Sequence, residues 1–211
     1  MKKFVKVISV LISVMLIVLS LVGCNETKNA QNTVFQMFES FKKLDFETAR
    51  MYVNVDELQL SKDKSKNTVT NNQQMFMKSM FDKLQYTIVS AEKIDKNNVL
   101  VKVEVTAVDM KPVMGEYISE IFKISFANAF TSSAEKKSEE QQQKIMEDKF
   151  VGLVNKPDIA MISNTVDLKV QKVDKLWKVI PDETFVNALF GGLSEVAKDM
   201  EKSFNKIGEQ N

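Results

Sequence analysis

The sequence predicts an α+β domain in which helices and antiparallel strands occur in separate runs. Residues 99–107 and 166–171 alternate apolar and polar side chains at the period of a β-strand. Residues 32–44 and 113–155 instead show helical periodicity. Because strands and helices are grouped rather than regularly alternating, the order favours an antiparallel sheet over repeated βαβ units.

The N-terminal part of the domain is predicted to be helical. One helix has an apolar face whose members recur every three or four residues: Val34, Phe38, Phe41 and Leu44. Asp45 is placed to cap a second, short helix over residues 46–53. Residues 54–72 lack apolar periodicity and are predicted to form a surface loop, followed by a third helix over 73–84.

Two hairpins are predicted on either side of a helical section. The first joins strands 86–94 and 99–108 through a turn rich in Asp and Asn, and the second ends in a strand over 176–180. The helical section between them covers 113–155. Its apolar stripe predicts burial over 114–130, and its charge-rich part predicts exposure over 135–143. This stripe comprises Met114, Tyr117, Ile118, Ile121, Phe122, Ser125, Phe126, Ala129 and Phe130.

The composition excludes several common chemistries. The chain has no histidine and one cysteine, so it can form neither a Cys/His metal site nor a His-based catalytic triad. A disulfide within the chain is excluded as well. The 29 basic residues nearly balance the 28 acidic ones, which gives no electrostatic reason to expect binding to nucleic acid. We therefore expect no metal, no cofactor and no nucleic acid partner.

The N-terminus has the features of a secretory signal: lysines at positions 2, 3 and 6, an apolar stretch over 7–22, and the small residue Gly23. The run Leu21-Val22-Gly23-Cys24 resembles the lipobox of bacterial lipoproteins. That resemblance implies cleavage between Gly23 and Cys24 and acyl chains, such as palmitate, on Cys24. The apolar stretch has about 16 residues, fewer than the roughly 20 of a membrane-spanning helix. An uncleaved anchor and plain secretion remain alternatives.

These observations predict three parts of the chain. Residues 1–23 form a cleaved signal, residues 24–31 form the lipidated cysteine and a polar tether, and residues 32–211 form a single domain with a helical insert at 113–155. Cleavage removes three lysines and no acid, which leaves 26 basic and 28 acidic residues. We expect the mature domain to be held at the outer face of the cytoplasmic membrane by its lipid.

Two stretches resemble NTF2-like (cystatin-like) domains. Residues 34–49, with Leu44-Asp45-Phe46-Glu47-Thr48-Ala49 at the turn, resemble their first helix pair. Val173-Asp174-Lys175-Leu176-Trp177-Lys178-Val179 resembles their terminal hairpin. With the lipobox, these stretches are similar to NTF2-like lipoproteins of Gram-positive bacteria, a group largely without assigned function. The resemblance implies a cone, in which a curved antiparallel sheet packs on the N-terminal helices and encloses a pocket. The insert at 113–155 lies between the strand pairs and is longer than in the typical domain.

The resemblance also implies candidate pocket residues. Isomerases of this superfamily use an aspartate as base and a tyrosine as oxyanion donor, so Asp109, Tyr86 and Tyr117 are candidates, with Trp177 as a lining residue. Each has a structural explanation too, because Asp109 is placed to cap a helix and the three aromatic residues are suited to the core or its edge. No catalytic residue is assigned on this basis.

Two hypotheses about function follow. The first is a non-enzymatic lipoprotein that binds a protein partner or a small apolar ligand. The alternative is a pocket enzyme of the isomerase or dehydratase type that uses a carboxylate and a tyrosine.

Overall fold

The computed structural model of the protein describes residues 25–54, 71–130 and 137–208, with backbone only at 71–73 and 203–208. The predicted signal peptide, Cys24 and most of the predicted loop at 54–72 lie outside these ranges. The described part contains seven helices and four strands: α1 (Asn25–Lys42), α2 (Phe46–Tyr52), α3 (Asn71–Phe81), β1 (Gln85–Lys93), β2 (Asn98–Val108), α4 (Met110–Ala129), α5 (Glu139–Val154), β3 (Met161–Val173), β4 (Leu176–Ile180), α6 (Glu183–Leu189) and α7 (Leu193–Gly208).

The four strands form one open antiparallel sheet in the order β1-β2-β3-β4. The pairing of β2 with β3 runs without interruption from Asn98 opposite Gln171 to Val108 opposite Met161. Beside β4, Val53 forms a parallel bridge to Val179. The predicted α+β class and both predicted hairpin strand pairs are confirmed. The finer expectation of a cone is not, because the observed sheet is open.

One face of the sheet carries the main core, as the alternation in β2 predicts. Val99, Val101, Val103 and Val105 are fully buried, whereas Lys102 and Glu104 between them are exposed. The valines pack against the apolar face of α1, including Val34 and Phe38. The phenyl ring of Phe38 stacks on Tyr86 with 4.4 Å between centroids and meets Phe185 of α6 edge-on at 6.0 Å. Helices therefore cover one face of the sheet.

A second, smaller core holds the helical insert to the end of β2. Met110, Val113, Leu153 and Val154 are buried together there. Helix α4 begins where Asp109 accepts a hydrogen bond from the Lys111 N–H at 3.0 Å. Helix α5 begins with a capping box formed by Ser138 and Gln141. The predicted helical section at 113–155 is confirmed, with helices on both sides of the undescribed residues 131–136.

The helix α1 begins earlier than predicted. Residues 25–31 were expected to form a polar tether, but they are helical from Asn25. Thr27 and Ala30 are buried, so this first part of α1 is packed on the domain. Near the other terminus, α6 is followed by Gly191 and Gly192, whose positive φ angles of +56° and +84° are typical of a helix end.

Candidate functional surfaces

The four predicted pocket residues do not meet in the structure. Tyr86 and Trp177 lie on the two edge strands, β1 and β4, so three inter-strand spacings of about 4.8 Å separate them across the sheet. They are also apart along the strands. Tyr86 pairs with Val105, and Trp177 pairs with Lys172 near the opposite end of the sheet. The two aromatic residues therefore do not share a site.

Asp109 has a structural role that accounts for its position. Its carboxylate caps α4, and its backbone N–H donates to the carbonyl oxygen of Ala160 at 2.8 Å. Tyr117 lies eight residues further along, about 12 Å along the helix axis. Its ring meets Phe150 edge-on at 5.4 Å in the second core. Burial, followed by the nearby charge of Glu147, raises the pKa of Tyr117.

Among these four candidates, Tyr86 is the one whose side chain forms a hydrogen bond with another titratable side chain. Its hydroxyl donates to Oε1 of Glu39 on α1 at 3.0 Å. Burial of the phenol, then this hydrogen bond and the charge of Glu39, raises the pKa of Tyr86 well above its usual value of 10.0. A hydroxyl with a raised pKa is not poised to lose its proton near neutral pH. The pair instead joins α1 to the edge strand β1.

The Tyr86–Glu39 pair predicts a pH dependence of stability. As the pH rises above 10.0, the unfolded chain loses the Tyr86 proton first, so the free energy of unfolding falls with increasing pH. Below that pH both states keep the proton and Tyr86 contributes no pH dependence. Urea unfolding of the wild-type protein and Tyr86→Phe, on both sides of pH 10.0, measures this difference. Equal alkaline slopes in the two proteins would contradict the prediction.

A surface depression of about 350 Å³ lies along α5. It is lined by Lys137, Gln141, Lys144, Ile145 and Asp148, which all come from α5 or the residues just before it. Most of these side chains are exposed, so the depression does not enclose a ligand. Within the described ranges, no group of three or more acidic side chains is arranged to hold a metal ion.

The most unusual surface is on α4. Phe122, Phe126 and Phe130 follow one another at intervals of four residues and are 69%, 69% and 77% exposed. The last two rings meet edge-on at 4.8 Å. The predicted burial over 114–130 is therefore wrong for these three residues, which we call the phenylalanine face, and also for Ser125 and Ala129, which are exposed. Ser119 and Lys123 are exposed beside the three rings as well.

Helix α4 meets α5 through other sides of the helix, which leaves the phenylalanine face uncovered. Lys156 of the loop after α5 binds Glu116 at 2.6 Å, and Lys149 of α5 binds Glu120 at 3.2 Å. Hydrogen bonds from Lys123 and then from Lys149 lower the pKa of Glu120. Together with the Tyr117–Phe150 ring contact, these ion pairs hold α4 against α5 through sides of the helix other than the one that carries the phenylalanine face.

Comparisons with known proteins do not assign the chain to a family. No protein-family model matches the chain, and no curated protein matches it. A crystal structure of ycdA from Bacillus subtilis, a protein proposed to be a lipoprotein, is similar at 16% sequence identity with a TM-score of 0.42. That match covers 64% of this chain and 41% of the other. In the described part of the chain, no helix is long and apolar enough to cross a bilayer.

Proposed function

We propose that the protein is an extracytoplasmic lipoprotein, held at the outer face of the cytoplasmic membrane through acyl chains on Cys24, that binds a protein partner and is not an enzyme. The anchor is supported by the sequence Leu21-Val22-Gly23-Cys24 after an apolar stretch. The observation that carries the binding role is the exposed phenylalanine face of α4.

Three exposed phenylalanines on one helix side are a marked departure from an ordinary soluble surface. Burying one such side chain yields about 1.5–3 kcal/mol, so leaving three in water forgoes a large stabilisation. Contiguous exposed apolar surface of this kind marks interaction sites, and aromatic residues are enriched in the centres of protein interfaces. The three exposed rings fit a partner with an apolar surface at the contact.

A protein partner is better supported than a small apolar ligand. The side chains of α1 and α6 fill the space over the covered sheet face, with Phe38 in contact with both Tyr86 and Phe185. The alternative of a pocket enzyme draws no support from the structure, since Tyr86, Asp109, Tyr117 and Trp177 lie apart. The NTF2-like assignment stays part of this proposal. It is supported by the order of helix pair, hairpin, helical insert and hairpin.

Photo-crosslinking in intact cells tests the binding role. Benzoylphenylalanine in place of Phe126 is expected to give a discrete crosslinked species, because the ring lies in the proposed contact. The matched control is the same substitution at Phe35, another phenylalanine on a helix surface and 45% exposed. We expect no discrete species from Phe35. The proposal would be overturned by equal products at both positions, or by none from Phe126. A product of twice the protein's mass would identify a second copy as the partner.

A further inference from the structure

The two turns of the sheet lie side by side at one end of the molecule, which we call the turn end. Strand β1 leads into the first turn at residues 94–97, and β3 leads into the second at Asp174 and Lys175. The backbone N–H of Lys172 donates to the carbonyl oxygen of Asn97 at 2.8 Å, which joins the two turns.

The N-terminus of α1 lies at this same end. Glu26 forms a salt bridge with Lys93, the last residue of β1, at 3.3 Å. The pKa of Glu26 is lowered most by a backbone hydrogen bond. The hydrogen bond from Lys93, and then the charges of Lys93 and Lys172, lower this pKa further. Asn25 directly follows Cys24 in the sequence, and burial of Thr27 and Ala30 fixes the start of the helix on the domain. Acyl chains on Cys24 would therefore emerge beside the turn end, without a flexible tether between them.

Each turn presents one apolar side chain to solvent. Ile94 and Leu176 are both 59% exposed. Hydrogen bonds hold the first turn in shape, since the N–H groups of Ile94 and Asp95 both donate to the carbonyl oxygen of Asn98. In the second turn, Asp174 and Lys175 have left-handed φ angles of 48° and 72°, the geometry of a tight hairpin. Leu176 comes immediately after them.

Lysines at the turn end can contact lipid phosphates. Lys96, Lys172 and Lys175 are exposed there and can reach headgroup phosphates. With Lys93, the four lysines at this end are balanced by four carboxylates: Glu26 is paired with Lys93, and Asp95 accepts from the N–H of Asn97 at 2.7 Å. The other two, Glu92 and Asp174, are exposed.

We propose that the turn end rests on the lipid bilayer, with Ile94 and Leu176 entering the interface and the neighbouring lysines contacting phosphate groups. This inference rests on the proposed acylation of Cys24, which brings the turn end to the membrane at high effective concentration. The acyl chains supply the anchoring. The two exposed apolar side chains therefore need only orient the domain on the membrane.

The orientation places the partner surface away from the membrane. Helix α4 starts at the end of β2 opposite the turn end, about 33 Å along the 11 residues of that strand. The lipid-facing end and the phenylalanine face are thus separate surfaces of one domain. In this arrangement the strands stand upright on the bilayer, and α4 remains accessible to a partner.

Tryptophan quenching tests the orientation with a tryptophan placed at the turn end. The single native tryptophan, Trp177, is half-buried against the main core, so the reporter is the variant Leu176→Trp/Trp177→Phe. The full acylated chain is reconstituted in vesicles of phosphatidylglycerol and phosphatidylcholine, with or without bromine on the acyl chains of the phosphatidylcholine. We expect brominated lipid to lower the emission of this reporter about twofold, as for a tryptophan at the membrane interface. In the control variant Trp177→Phe/Phe126→Trp, the tryptophan is at the phenylalanine face and we expect no quenching.

A second variant tests the contribution of Ile94. Adding Ile94→Asp to the reporter changes only an exposed position, so the protein should fold, and we expect it to stay in the vesicle fraction with its quenching reduced. Anchored reporter without quenching, or quenching of the tryptophan at position 126 instead, would overturn the proposed orientation while leaving the anchor in place. Unchanged quenching after Ile94→Asp would overturn the role of Ile94. Failure of the wild-type chain to join the vesicles would instead contradict the proposed function.

Discussion

Replacing Cys24 by serine should abolish acylation of the protein. A serine hydroxyl cannot take the place of the thiol that receives the lipid, so incorporation of a clickable fatty acid should fall to background. The mature, membrane-bound form should disappear with it. Each acyl chain contributes about 0.8 kcal/mol per buried methylene, and stable anchoring takes two chains. The near-neutral mature domain supplies no electrostatic substitute for them.

The neighbouring substitution Asn25→Ser is the matched control for Cys24→Ser. It introduces the same residue one position later, at an exposed site, and should leave acylation unchanged. Fatty-acid labelling is the preferred measurement because an uncleaved precursor can stay in the membrane through residues 7–22. Labelling of Cys24→Ser at the wild-type level would refute the proposed attachment site, and so would release of unmodified mature protein from wild-type cells.

Gly191→Ala should be among the most destabilising single substitutions in the domain. A Cβ atom at Gly191 would overlap the carbonyl oxygen of Val108 and lie 2.8 Å from its carbonyl carbon. The same glycine accepts a hydrogen bond from the N–H of Met110 at 2.9 Å, so the two segments cannot separate without breaking it. Overlap with backbone, added to a left-handed φ of +56°, should cost about 4 kcal/mol or more of unfolding free energy.

Gly192→Ala separates the contribution of the overlap from that of the backbone conformation. Gly192 also has a positive φ, +84°, but a Cβ there meets nothing within 4 Å. We therefore expect a cost of about 1–2 kcal/mol, from the left-handed conformation alone. Urea unfolding of both variants gives the comparison. If Gly191→Ala costs no more than Gly192→Ala, the close approach of residue 191 to the end of β2 is wrong.

The sequence predicts strands well where burial alternates and poorly where it does not. In β2 the alternation of valines with charged residues has a direct cause, since the helices within the described ranges cover one face of the sheet. Strand β3 starts at Met161, five residues before the predicted alternation begins at Val166. Ser163 and Asn164 belong to it only because their backbones pair with Thr106 and Val105 of β2. Such pairing is a tertiary contact that no local pattern reveals.

The start of α1 was missed for a related reason. Thr27 and Ala30 pack on the domain, but neither is apolar enough to mark a helix face against the surrounding polar residues. Burial there follows from the proximity of the sheet rather than from hydropathy. The wrong tether prediction matters for function, because α1 begins at Asn25 and Glu26 is already paired with Lys93 beside the turns of the sheet.

The phenylalanine face could have been suspected from the breadth of the apolar stripe on α4. Tyr117 and Ile121 are half-buried, whereas Phe122 and Phe126 lie on another side of the same helix. A stripe that includes both sides is wider than one packing partner covers. The sequence gives no way to tell which side is covered, since both are equally apolar. The candidate pocket residues were grouped through the cone that the NTF2-like resemblance implies, and the open sheet does not confirm that cone.

The mass of the N-terminal peptide from protein purified out of its native membrane tests the central claim most directly. We expect a chain that begins at Cys24 and carries a diacylglyceryl group on its sulfur, so the peptide should have the mass of an acylated cysteine. An unmodified N-terminal cysteine, a chain that begins elsewhere, or a retained apolar stretch at 7–22 would contradict both the proposed anchor and the orientation derived from it.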